Sequence, residues 1–317
     1  MTTTIVVALG GNALVSAGHE SILDQLGAVE AMAPGIVDLA ASGHRVVVTH
    51  GNGPQVGYIL RRSELSLPEV APVPIDFAVA DTQGAIGHMF VLALRNELRS
   101  RALQQRVVAI VTNVVVDADD PAFAAPTKPI GSMFSEAKAK ELAAGFGWSV
   151  AEDSGRGWRR VVASPSPLAV PESATIAALL DAGHVVIAGG GGGVPVTCAP
   201  DGTYARVEAV VDKDLTSALL AAELGADTLA IVTTVDRVAV GFGGPDERWL
   251  SVVDAAEMRR HLRNGSFGAG SMAPKVQAAL RFVETPGPTL RRAVITSADR
   301  LTAAIRDARQ AGTTIVP

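Results

Sequence analysis

Lysine, cysteine and aromatic residues are scarce in this 317-residue sequence, and each scarcity excludes something. A lone cysteine, Cys198, cannot close an intrachain disulfide, and no partner group beside it suggests a reactive thiol, so it reads as a small buried hydrophobe. The opening Met1-Thr2-Thr3-Thr4 lacks the basic segment and long apolar stretch of a secretory leader. Apolar runs such as Ile5 to Leu9 and Val46 to Val48 fall well short of the ~20 residues that cross a bilayer. A cytoplasmic protein without a membrane partner is therefore expected. Basic charge is also short: 27 Lys and Arg stand against 32 Asp and Glu, and no basic run could follow a phosphodiester backbone. Nucleic acid is not an expected partner.

What is abundant is small and apolar. The chain is 48% hydrophobic and only 19% charged, rich in Ala, Val and Gly, the composition of short buried strands packed under helices. Ile5 to Leu9 reads as a buried strand ended by Gly10-Gly11-Asn12, and a helical pattern runs from Ser21 to Ala41, closed by Gly43. A second strand, Arg45 to Thr49, meets His50-Gly51-Asn52-Gly53-Pro54-Gln55 before helical periodicity resumes at Val56. A helix over Val79 to Arg101 and a strand over Val107 to Val116 continue the alternation, which predicts a parallel sheet covered on both faces.

Between Asp117 and Ser166 that rhythm breaks. An acidic, Pro-rich loop, a short helix near Ser135 to Ala144, and two segments, Trp148 to Val150 and Trp158 to Val162, predict a small protruding lobe with a hairpin. From Glu172 the pattern returns: a helix to Ala182, a strand His184 to Ala188, the glycine run Gly189 to Gly193, and a helix Leu215 to Leu224. A strand Thr228 to Thr233, helices Val253 to Leu262 and Met272 to Glu284, a strand Ala293 to Thr296, and a last helix and strand follow.

Three glycine turns thus follow strands, where an open parallel sheet binds its ligands. Glycine lets backbone N–H groups approach phosphate oxygens, and a helix amino terminus adds a positive end. Each turn alone is equally a tight turn, and a run of five glycines is equally a linker, although Val185-Val186-Ile187 and Val194-Pro195-Val196 bracket this one. Neither a third glycine at the dinucleotide-binding spacing nor a Walker A motif is present. Phosphoryl transfer would then need cations placed in advance. Lys128 lies in a loop between Pro126 and Pro129 and by itself could be a solvated side chain. Lys213 opens a helix, where a cation opposes the dipole unless an anion or acidic neighbour offsets it. Lys275 follows the small-residue turn Gly268-Ala269-Gly270-Ser271-Met272-Ala273-Pro274, and there a phosphate site and a surface lysine are equally good readings.

In sequence order these segments resemble the carbamate kinases of the amino acid kinase superfamily. The resemblance rests on Val7 to Leu14, Thr49 to Gly57, Thr82 to Gly87, Asp119 to Phe123, Pro126 to Gly131, Gly190 to Pro195, Glu208 to Asp214 and Gly270 to Lys275, and covers Thr4 to Ile315. It implies an α/β fold, a three-layer α/β/α sandwich with a mainly parallel sheet and a protruding lobe. The amino-terminal half, 1–180, would take carbamate or carbamoyl phosphate, with the lobe at about 117–166, and the half 181–317 would take nucleotide.

The resemblance further implies that Gly10, Gly11, Asn12, Gly51, Asn52 and Gly53 hold carbamate and the migrating phosphoryl group. Lys128 would reach in from the lobe, Lys213 and Lys275 would bind phosphates, and Asp214 would orient them. Gly190, Gly191, Gly192, Thr233, Val235 and Met272 would join Lys213 and Lys275 around ATP or ADP. Mg²⁺ would ride on the nucleotide phosphates without a protein cage, and His50 would pack its loop. The implied reaction is ATP + carbamate ⇌ ADP + carbamoyl phosphate, run toward ATP in catabolic routes such as arginine breakdown, by a cytoplasmic homodimer joined through helices such as Ala80 to Leu98.

One departure is visible: Thr233-Thr234-Val235-Asp236 stands where the superfamily commonly has Thr-Asp-Val or Thr-Asn-Val, and the loop Ala239 to Pro245 lacks the usual aromatic and amide residues after the valine. That substitution motivates one other reading, a kinase-like binding protein without turnover; the main alternative among enzymes is a related kinase acting on another small carboxylate, against which the segment Pro126 to Gly131 argues.

Overall fold

In the strand Thr4–Leu9 every residue is buried, and sequence neighbours face opposite cores: Ile5, Val7 and Leu9 join one apolar cluster, Val6 and Ala8 the other. This alternation without a polar face is what a strand covered on both sides requires, and it sets the layering of the whole chain. The computed structural model describes residues 3–15, 21–67, 69–153, 155, 157–268, 272–287, 290–307 and 309–317. Its central sheet has eight strands in the order Val252–Asp254, Thr313–Val316, Arg292–Ser297, Thr228–Thr233, Thr4–Leu9, Arg45–His50, His184–Ile187 and Arg106–Ala109. The six from Arg292–Ser297 to Arg106–Ala109 are mutually parallel. Thr313–Val316 runs antiparallel to Arg292–Ser297 and pairs in parallel with Val252–Asp254.

Helices Ile22–Ala41, Ile75–Ser100 and Leu301–Arg306 cover one face, and Ser173–Asp181, Lys213–Glu223, Ala255–Arg263 and Met272–Glu284 cover the other. The result is a three-layer α/β/α sandwich. Ser21 starts the first helix with a capping box, its hydroxyl accepting from Asp24 N while the Asp24 carboxylate accepts from Ser21 N. The helix Ile75–Ser100 is long and apolar enough to cross a bilayer by length and composition, yet 56% of its most apolar stretch is buried in the fold. The strand His184–Ile187 lies between Arg45–His50 and Arg106–Ala109, so the two sequence halves interleave in one sheet.

The structure corrects several sequence expectations. Val107 to Val116 is not one strand: Arg106–Ala109 stays in the main sheet, while Asn113–Val116 pairs with Val194–Cys198 in a second, four-stranded sheet. Buried Gln83 makes the break possible, since its amide oxygen accepts from Thr112 N at 2.7 Å and its amide nitrogen donates to Thr112 O at 3.0 Å. Gln83 thus satisfies the Thr112 N–H away from the main sheet, while Thr112 O also accepts from Val194 N at 2.9 Å. Lys128 is not in a loop. Lys128–Phe134 is an edge strand of a three-stranded lobe sheet with Trp158–Val162 and Ser149–Glu152, and an edge tolerates Pro129. Ser154 and Arg156 of the expected hairpin turn lie outside the described residues. Val253, expected in a helix, belongs to the short strand Val252–Asp254, and Asp254 caps the helix that follows. Cys198 is exposed rather than buried, at the end of its strand.

Candidate active site

Parallel strands bring their carboxyl ends to one edge of the sheet, so the turns after Leu9, His50, Ile187 and Thr233 gather there. Gly10 and Gly51 prolong their strands: the Gly10 N–H donates to Val232 O at 3.1 Å and the Gly51 N–H to Leu9 O at 3.0 Å. Those two amides are therefore engaged by the sheet and do not face a phosphate. Their missing side chains serve close approach instead, because a Cβ on Gly51 would stand 2.6 Å from Gly11 N and 2.8 Å from its Cα. Asn12 sits in the 3-10 turn Gly11–Ala13, and its side chain lies outside the described residues. Asn52 precedes the helix Gly53–Ser66, whose first residue, Gly53, is exposed; the Asn52 side chain is buried and donates to Thr82 Oγ1 at 2.8 Å.

The glycine run, expected to join the nucleotide site, is packed inside the fold. Gly190, Gly191 and Gly192 are buried against His50, Asn52, Gln83 and Val211, with no space for a Cβ at any of the three. Gly191 and Gly192 have φ of 68° and 94°, in the region glycine favours. The run acts as a spacer: Gly192 O accepts from Thr216 Oγ1 at 2.8 Å, tying it to the start of the helix Lys213–Glu223. His50 is buried with its ring stacked on Phe90, and burial pulls its pKa down to about 4, with nearby Lys213 adding to the effect against a hydrogen bond to Gly51 O. It is a neutral packing residue.

At the helix start, charge is arranged in a row. Asp212 caps the helix, one carboxylate oxygen accepting from Asp214 N at 2.9 Å, while the other meets Lys128 Nζ at 3.2 Å. Asp214 receives Lys213 Nζ at 2.6 Å on one oxygen and Lys275 Nζ at 3.2 Å on the other. Asp214 is only 3% exposed. Burial alone would push its carboxyl up, but the two ammonium groups outweigh it and hold it below the usual carboxylate range. Burial lowers the Lys213 ammonium, which Asp214 opposes and Lys275 reinforces. Three ammonium groups against two carboxylates at a helix amino terminus leave a local excess of positive charge, suited to a multiply charged anion. Gly268 is exposed, whereas Ala269, Gly270 and Ser271 of the turn before Lys275 lie outside the described residues.

Beside this row lies a cleft of about 410 Å³. Of the residues singled out in the sequence, Gly10, Gly11, Lys213, Thr233, Val235, Met272 and Lys275 line it. Lys128, Gly51, Asn52, Gly53 and Gly190 to Gly192 are not in that lining; Lys128 reaches the array through Asp212. Phe242, from the loop Ala239 to Pro245 that was read as lacking the usual aromatic, and Trp249, Phe267 and Arg237, which were not singled out, complete the wall. Phe242 and Trp249 meet edge to face with centroids 6.1 Å apart, both exposed, with Phe267 and Arg237 nearby in the same lining. An aromatic between glycines, Gly241-Phe242-Gly243, was the signal that could have marked the first of them. Asp236, in the departing Thr-Thr-Val-Asp segment, accepts from Ser297 Oγ at 2.6 Å.

The model of the amino acid kinase family matches residues 3–297. A carbamate kinase from Pyrococcus horikoshii is 45% identical over 320 aligned residues, covering all of both chains. The chain belongs to the amino acid kinase family, among its carbamate kinases. The structure of a carbamate kinase from Giardia lamblia bound to AMP-PNP superimposes with a TM-score of 0.91 at 38% identity, covering 99% of this chain and 98% of that one. A carbamate kinase-like protein of Escherichia coli is 46% identical over all of this chain and 99% of its own.

Proposed function

We propose that this protein is a carbamate kinase that moves a phosphoryl group reversibly between ATP and carbamate, giving ADP and carbamoyl phosphate. The observation that carries the reading is the pair Lys213 and Lys275 held on one buried carboxylate, Asp214, at the wall of a cleft large enough for a nucleotide. In the proposed mechanism the nucleotide lies along the cleft with its base toward Phe242 and Trp249. Its phosphates face Lys213 and Lys275, whose ammonium groups spread the charge that builds on the migrating group. Asp214 keeps both in place before the reaction. A carboxylate oxygen of carbamate is already nucleophilic, so in-line attack needs no general base, and neutral His50 is left to packing. Lys128 approaches from the lobe sheet, and closure of the lobe excludes water.

Mg²⁺ fits this arrangement as a passenger on the nucleotide. The nearby carboxylates Asp212 and Asp214 are engaged by lysines, whereas phosphate oxygens offer the ion its preferred ligands. Bound so, it would neutralise phosphate charge. We further propose that the protein works as a cytoplasmic homodimer using the outer side of the helix Ile75–Ser100, where Phe77 and Leu92 are exposed, and that it forms ATP in catabolic routes such as arginine breakdown.

The test is ATP formation from carbamoyl phosphate and ADP with Mg²⁺, with acetyl phosphate as the comparison donor. Turnover with carbamoyl phosphate well above acetyl phosphate supports the proposal. Preference for acetyl phosphate would assign another acyl acceptor, and nucleotide binding with no turnover would make the chain a kinase-like binding protein.

A further inference from the structure

Lys213 and Asp214 are neighbours on one helix, so their 2.6 Å contact survives any sliding of that helix. Lys275 belongs to another, Met272–Glu284, and its 3.2 Å contact with Asp214 depends on the register between the two. Buried residues of both helices, Ala218, Leu220 and Ala221 from one and Val276, Ala278, Leu280 and Phe282 from the other, sit in the same core cluster.

At the far end of both helices stands Arg291. It is 4% exposed, and among the described residues its charge meets carbonyls rather than a carboxylate. Its Nη1 donates to Thr285 O at 2.8 Å, just beyond the helix Met272–Glu284, and its Nη2 donates to Ala222 O at 3.2 Å, in the last turn of Lys213–Glu223. The guanidinium carbon lies 5.2 Å from the centre of the Phe282 ring, and Nε has no hydrogen-bond partner. A cation at two carboxyl-terminal helix ends is matched by both dipoles, and a planar fork can hold both ends at once where an ammonium holds one. The two helices thus run parallel, joined at one end by Arg291 and at the other by Lys275 and Asp214, about 12 Å away at 1.5 Å per residue from Asp214 to Ala222.

We propose that Arg291 is a positioning residue that fixes the register of the two lysine-bearing helices and so the placement of Lys275 on Asp214; its effect on turnover rests on the kinase reading above. Gly287 belongs to the same device, because a Cβ there would stand 2.5 Å from Arg291 Nε and displace the guanidinium.

The experiment compares wild type with Arg291→Lys, Arg291→Met, Gly287→Ala and a control, Leu98→Ala, which opens a cavity in the opposite core cluster. Kinetics are run well below every melting temperature, with the ¹³C shift of the Asp214 carboxyl carbon as a second readout. Arg291→Met should lower kcat about tenfold and shift the Asp214 signal, Arg291→Lys and Gly287→Ala should show smaller changes of both kinds, and Leu98→Ala should lose melting temperature with neither. If Arg291→Met does not fold, Arg291→Lys and Gly287→Ala decide. Unchanged kcat and an unmoved Asp214 signal in the folded Arg291 and Gly287 variants would overturn the proposal. Should wild type show no turnover, the kinase reading fails, while the Asp214 signal still decides whether Arg291 sets the register.

Discussion

The side-chain amide of Asn52 fills the space that a Cβ on Gly191 would need. Two turns from distant parts of the chain therefore interlock, and Thr82 fixes the amide from a third element. Gly191→Ala meets two penalties, a φ of 68° that costs about 1–3 kcal/mol for a residue with a side chain and the displacement of Asn52. The expected result is a lower melting temperature together with a loss of turnover larger than that of an equally destabilised core variant. Retained turnover at wild-type level in the folded Gly191→Ala protein would show that the Asn52 turn has no part in the reaction.

Lys128 tests the opposite case, function without stability. Its side chain is 30% exposed and its pair with Asp212 is solvent-screened, so the pair contributes about 0–1 kcal/mol at most. Asp212 keeps its second role as helix cap when the lysine is removed. Lys128→Ala should leave the denaturation midpoint nearly unchanged and lower kcat about a hundredfold or more, the scale of losing one preorganised charge on the migrating group. Parallel loss of stability and rate would instead make Lys128 a structural strand residue.

Strand, glycine turn and helix in alternation were legible because a strand buried on both faces has an unmistakable pattern, as in Ile5 to Leu9, and because parallel topology then gathers the turns at one edge. The division after Ala109 was not legible. Ile110-Val111-Thr112 carries no glycine or proline, and the bonds that release the chain come from Gln83, on a different element. Lys128 looked like a loop residue because prolines usually end strands, and only the sheet order reveals an edge. The lysines could be named one by one since they are rare, but their arrangement on Asp212 and Asp214 depends on tertiary packing. So does the meeting of Phe242 and Trp249.

That aromatic pair gives a prediction separable from the chemistry. Stacking on a ring adds about 0.5–1.5 kcal/mol beyond area burial, so Phe242→Ala and Trp249→Ala should each raise KM for ADP about three- to tenfold. Neither residue touches the lysine array in the described contacts, so kcat and KM for carbamoyl phosphate should stay near wild type. Because the rings contact each other, the double variant should fall short of the summed effects. A loss confined to kcat would place the base elsewhere.

His50, together with half-buried His44, whose pKa burial and then Arg292 also lower, shapes the acid limb of stability. In the fold the His50 pKa lies near 4, below the ordinary 6.5, because burial opposes the charged ring. Above pH 6.5 neither folded nor unfolded chain binds the proton and the full stability is present. Between pH 6.5 and 4 the unfolded chain takes up a proton that the fold refuses, so stability drops by up to about 1.4 kcal/mol per pH unit, about 3 kcal/mol in all. The carboxyls of Asp76 and Asp214, both held below their ordinary range, add their own losses only at lower pH, as each is protonated. Chemical denaturation at pH 7, 6 and 5 should therefore show a steeper decline for wild type than for His50→Asn, which keeps an N–H donor for Gly51 O but cannot titrate. Equal slopes in the two proteins over that window would mean that the buried ring is not the group whose protonation opens the fold.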